Sequence, residues 1–121
     1  MSQGNIRILR MKRNDTLPLV KISVVERDLD NPAVTTPVDL TGASAKFIMV
    51  TDADPRVVKV NAAATITDAL NGKVEYSWIS ADTDTSGDYL AEFEITLTGG
   101  KITLPSDDSL KIKIIDDYDN A

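Results

Sequence analysis

The 121-residue chain contains no cysteine and no histidine. Without thiols, neither a disulfide framework nor thiolate chemistry is available. Without imidazole, the commonest general base and the commonest metal ligand are missing together. Long apolar runs are lacking: none approaches the ~20 residues that cross a bilayer as a helix, so no membrane contact is expected. The basic N-terminus has neither the apolar segment nor the cleavage site of a secretory signal. Positive charge is in deficit, with 13 Lys and Arg against 19 Asp and Glu and a net charge of −6. That balance argues against an electrostatic grip on nucleic acid or anionic lipid. No amphipathic helical repeat is found, and neither is an internal repeat or a low-complexity tract.

Aromatic residues are few, and most of them gather in one stretch, Lys73 to Leu97. There Val74, Tyr76 and Trp78 recur at every second position, and so do Tyr89, Ala91, Phe93 and Ile95. Period two with aromatic and β-branched side chains is the pattern of strands buried on one side. Tyr76, Trp78, Tyr89 and Phe93, with Phe47 from an earlier strand, are therefore the expected core. Between the two runs, Asp82 to Asp88 supplies turn formers. Tyr89 follows Gly87-Asp88 at a strand start, the layout of the tyrosine corner of immunoglobulin-like sandwiches, whose hydroxyl bonds backbone a few residues upstream. An antibody domain has Cys two residues later; here Ala91 stands there.

Further strands are expected over Ile6 to Lys12, Leu17 to Glu26, Ala43 to Met49, Val57 to Val60, Ala62 to Thr67, Lys101 to Leu104 and Leu110 to Ile115. Arg27 to Pro37, with acids and two further prolines, reads as a long connection. Asn71-Gly72 and Gly99-Gly100 read as tight turns. The expected fold is all-β: an immunoglobulin-like β-sandwich of about seven to nine antiparallel strands without a disulfide, with a barrel as the alternative. The expected organisation is an N-terminal arm or edge strand over residues 1–12, one sandwich over 13–115 and an acidic tail over 116–121.

Motifs that carry chemistry are nearly absent. Asp82-Thr83-Asp84-Thr85-Ser86-Gly87 fits the front half of a calcium loop, but the twelfth position, which needs a bidentate Glu, is Phe93. A non-helical calcium site at Asp82, Asp84 and Asp88 is the one metal alternative to a solvated turn. Asp107-Asp108 are adjacent carboxylates near a strand start, where neighbours point to different sides. No nucleophile elbow, phosphate loop or dinucleotide fingerprint is present. No cofactor is implied, and the chain does not read as an enzyme.

Four segments together resemble one family: Arg13-Asn14-Asp15-Thr16, Val38-Asp39-Leu40-Thr41-Gly42-Ala43, Gly72 to Trp78, and Asp82 to Ile95 with its D-T-x-G-x-Y-x-A-E-F element. They are similar to the immunoglobulin-like N-terminal domain of phage baseplate upper proteins, over about residues 13–115. The family's usual ending, a Phe or similar before Pro-Asn/Ser-Asp, is here Leu104-Pro105-Ser106-Asp107. The resemblance implies a non-enzymatic structural protein of a tailed-phage virion, with other virion proteins as partners.

Two classes of function follow. The first is an adaptor at the tail or baseplate, with decoration of the capsid as a variant. Arg7, Arg10, Lys12 and Arg13 at the start, and Asp116 and Asp117 at the end, would then suit head-to-tail or ring contacts between copies. The bland account of those basic residues is an edge strand kept soluble. The second class is a carbohydrate-binding or adhesin-like module. It needs exposed aromatics, whereas Tyr76, Trp78 and Phe93 fall on inward faces and only Tyr118 is expected outside.

Overall fold

The structure, a computed structural model, describes residues 6–105 and 109–118, with the backbone alone at 6, 7 and 109. Ten strands form among them: β1 (Ile6–Lys12), β2 (Val20–Ser23), β3 (Val25–Arg27), β4 (Thr35–Pro37), β5 (Ser44–Thr51), β6 (Val58–Asp68), β7 (Lys73–Tyr76), β8 (Gly87–Leu97), β9 (Gly100–Leu104) and β10 (Ser109–Ile115). Two single-turn 3-10 helices, Ala69–Asn71 and Ser80–Thr83, join them. The fold is all-β and sandwich-like.

The strands pair in the order β1-β10-β8-β5-β6-β7-β2, with β9 also beside β8. β6 joins the two layers. Its first part pairs with β5, from Val58 opposite Val50 to Ala64 opposite Ala45. Its last part pairs with β7, with a register irregularity between Ile66 and Asp68. The change of partner falls between Ala64 and Thr65, and the irregularity follows it, near the end of the strand. Val60, Ala62, Ala64 and Ile66 keep one period-two row throughout, so the two short strands expected around Asn61 are a single one.

The expected seven to nine antiparallel strands thus become ten, and one pairing is parallel. β1 runs parallel to β10, from Ile6 opposite Ser109 to Lys12 opposite Ile115. The strand expected over Leu17 to Glu26 is split at Val24, and its end, as β3, forms a hairpin with β4 from the stretch read as a long connection. β7 and β8 do not pair with each other; they lie in opposite layers, and their inward side chains meet across the core.

Phe47 on β5 is the centre of that core. Its ring stacks on Tyr76 of β7 at 4.4 Å between centroids and an 11° interplanar angle. It meets Trp78 edge-on at 5.4 Å and Phe93 at 5.1 Å. Offset and edge-to-face contacts are the favourable arrangements of aromatic quadrupoles, so this cluster ties the two layers beyond its area of burial. All five residues expected in the core, Phe47, Tyr76, Trp78, Tyr89 and Phe93, are buried. Trp78 lies just past β7, and its indole N–H donates to the Pro18 carbonyl at 3.0 Å.

Candidate functional site

Three places were singled out by the residues: the Asp82–Asp88 bend, the basic start and the acidic end. In the bend, Ser80–Thr83 closes a 3-10 turn that folds the chain back under β7. That turn brings the carboxylate of Asp82 against the Tyr76 hydroxyl at 2.5 Å and the Ile79 amide at 3.1 Å. Asp82 and its neighbour Thr83 are the two buried polar residues among those described. Thr83 Oγ1 donates to the Asp15 carbonyl at 2.8 Å, and the Thr83 carbonyl accepts the Asn14 amide at 2.9 Å. The bend is therefore a clamp on the loop that follows β1. Sequence reasoning missed Thr83 because a threonine in a polar run carries no sign of burial.

The structure does not bring the three calcium candidates together. Asp82 faces inward to Tyr76, Asp84 is paired with Lys59 at 2.5 Å, and Asp88 pairs with Lys113 at 3.6 Å. Lys59 and then the Thr85 hydroxyl hold the Asp84 carboxyl below the usual range. No group of three metal-binding side chains occurs among the described residues. Burial, and after it the bond to Asp82, pushes the Tyr76 hydroxyl well above the ordinary tyrosine range. This network orders the end of the sandwich, and neither group is exposed to a substrate.

Tyr89 makes the corner its position suggests: its hydroxyl donates to the Thr85 carbonyl at 2.7 Å.

The basic start and the acidic end meet within one chain. Because β1 and β10 are parallel, Arg13 emerges beside Asp116, and Arg13 Nε stands 3.6 Å from its carboxylate. Lys12 Nζ lies 5.1 Å from the ring centroid of the exposed Tyr118. The head-to-tail pairing of these two ends between copies, expected from their charges, thus competes with a contact already made at home. The Arg7 side chain, Asp107-Asp108 and the tail beyond Tyr118 lie outside the described residues.

A basic lane remains on the outer face of the first layer. Met11, Ile112 and Ile114 point into the core, so Ile8, Arg10 and Lys12 of β1 and Lys111 and Lys113 of β10 point out. In register, Ile8 stands by Lys111 and Arg10 by Lys113. Asp52 approaches Lys111 at 3.5 Å and Asp88 approaches Lys113, whereas Arg10 has no ion pair among the described residues. These pairs are partly or fully exposed, and such pairs contribute little stability. Among the described residues β1 has no strand partner on its other side.

Comparison with known proteins decides the identity of this surface's owner. The family model described as the BppU (baseplate upper protein) N-terminal domain matches residues 32–118. The chain belongs to this family. It is a structural domain of phage baseplates and not a known enzyme family, and membership makes the chain a virion component. Among solved structures, the BppU-type chain is similar to the "N-terminal domain of phage TP901-1 ORF48", with a TM-score of 0.50 and 18% identity over 95% of this chain and 90% of that one. That likeness is one of fold. Comparison with curated proteins gives no match.

Proposed function

We propose that this BppU-family chain is a baseplate adaptor, a non-enzymatic module that joins virion proteins through its outer strand surfaces. Membership of the family over residues 32–118 carries the reading. The basic lane on β1 and β10 supports it: a protein of net charge −6 collects exposed Arg10, Lys12 and Lys113 on one strand pair. Segregated charge of this kind steers encounter and fixes orientation between protein partners. The Tyr89–Thr85 bond supports reading the sandwich as immunoglobulin-like. Glycan recognition has little to work with, since Tyr76, Trp78 and Phe93 are buried in the core.

The test is incorporation. Replacing Arg10 and Lys12 by Gln removes charge from exposed positions without touching the core. Particles grown with that variant are expected to carry several-fold less of the protein by quantitative mass spectrometry, and immunogold should place the wild type at the tail tip. Unchanged incorporation, or gold spread over the capsid, would overturn the adaptor reading.

A further inference from the structure

The hairpin of β3 and β4 is unexplained by folding. Its two strands pair only with each other, and all six strand residues are exposed. An isolated two-stranded ribbon is marginal in water, because it buries almost no apolar surface. Yet this one presents apolar side chains to solvent: Leu29 at its tip is 95% exposed, and Val25 and Val34 are exposed beside it. Glu26, Asp28 and Asp30 surround them. Its conformation is set locally. Asp28 Oδ1 accepts the Asp30 amide at 2.8 Å, and the one cation, Arg27, turns back to donate to the Pro32 carbonyl at 2.7 Å. The result is a preformed knob, apolar at the tip and acidic at the sides.

A matching hollow exists elsewhere on the same molecule. On the outer face of β1 and β10 a shallow groove is lined by Ile8, Arg10, Lys111 and Lys113, with Asp88 at its side. Its rim carries three positive charges, of which Lys111 is offset by Asp52 and Lys113 by Asp88 while Arg10 has no ion pair among the described residues, and Ile8, 47% exposed, offers an apolar contact. The hairpin cannot fill the groove of its own chain. It grows from the end of β2, in the second layer, beside the turn at Gly72, where the Val24 amide donates to the Gly72 carbonyl. The groove lies on the face of the first layer that turns away from the second.

We propose that the acidic hairpin of one copy docks in the basic groove of a second copy. The contact rests on the reading of the β1–β10 lane as a partner-binding surface, and names a second copy of this chain as the partner. Knob and groove are different surfaces, so the contact is head-to-tail: each copy uses both, and repetition closes a ring or extends a chain. Opposite charges at an exposed interface make it sensitive to ionic strength.

Sedimentation of the full-length protein tests this. At low salt, rising concentration is expected to give species larger than a dimer, and these should dissociate as salt increases from about 0.05 M to about 0.5 M. The hairpin variant Glu26→Lys, Asp28→Lys, Asp30→Lys and the groove variant Arg10→Glu, Lys113→Glu should each remain monomeric while keeping the wild-type circular dichroism. Mixing the two restores opposite charges at each contact and should restore association. A wild type that stays monomeric throughout, a hairpin variant that associates like the wild type, or a mixture that fails to associate would each overturn the proposal. Particle incorporation separates this from the adaptor reading. If the groove variant is lost from particles while the hairpin variant is retained, the adaptor reading stands and self-docking falls.

Discussion

The Tyr76 hydroxyl donates to a carboxylate oxygen of Asp82 at 2.5 Å, six residues along the chain, and both residues are buried. The acceptor is charged, which makes this a strong hydrogen bond, and it is sheltered from the water that would otherwise replace it. Tyr76→Phe keeps the ring on Phe47 and removes only the donor. The variant is expected to lose about 1–3 kcal/mol, the cost of leaving a buried carboxylate with one partner fewer. Urea unfolding at neutral pH measures it through a lower midpoint at an unchanged slope.

The same bond sets an alkaline limit. Burial first, and the Asp82 bond second, raise the folded-state pKa of Tyr76 above its ordinary value of 10.0. A raised pKa means the folded protein holds a proton that the unfolded chain releases. The contribution is therefore complete below about pH 10 and is lost as the pH climbs toward the folded-state value. Burial moves the Tyr89 hydroxyl in the same direction. Urea midpoints measured from about pH 8 to about pH 11 should fall steeply for the wild type and less steeply for Tyr76→Phe. Parallel curves would show that other groups set the limit.

Tyr89→Phe should cost less than Tyr76→Phe. The acceptor it abandons is the carbonyl of Thr85, an exposed residue that water can solvate. A net loss of about 0.5–1.5 kcal/mol is expected, the ordinary range for a neutral hydrogen bond whose partner is not stranded. The comparison by the same urea assay tests the order of the two variants.

Gly72→Ala attacks the root of the hairpin. Gly72 has a left-handed φ of +67°, and a Cβ there would stand 2.5 Å from the Val24 carbonyl oxygen and 3.0 Å from that of Val38. Both atoms are backbone and cannot swing aside. The left-handed conformation alone costs a side-chain-bearing residue about 1–2 kcal/mol, and the collision adds to it. The variant should be destabilised by more than that, and hydrogen exchange at the Val24 and Val38 amides should accelerate.

The sequence shows which face a strand turns inward, but not which strand it meets. Period two in Val74-Tyr76 and Tyr89-Phe93 located the core, and glycine and tyrosine spacing located the corner at Tyr89. The parallel pairing of β1 with β10 was hidden, since alternation is the same whichever neighbour a strand takes. The β3–β4 hairpin was hidden for another reason. All its residues are exposed, so no alternation of burial marks them, and acids with prolines look like a loop. Tyr76–Asp82 depends on a 3-10 turn whose closure brings residues six apart together. No fixed motif announces such a contact. The basic and acidic termini were visible as charges, but their meeting at Arg13 and Asp116 follows from the hidden pairing.

The parallel β1–β10 pairing also bears on how the protein is made. β1 leaves the ribosome before the other described strands, yet its one strand partner among the described residues begins at Ser109 and lies in turn on β8. During synthesis β5 to β8 can assemble while β1 waits with its backbone unpaired. A ribosome stalled before β10 is complete would hold a nascent chain with two open sheet edges, on β8 and on β1. Of the described strands, the one that emerges after all the others thus seals the one that emerges before them, and pulse-labelled chains should resist protease only once β10 has cleared the ribosome.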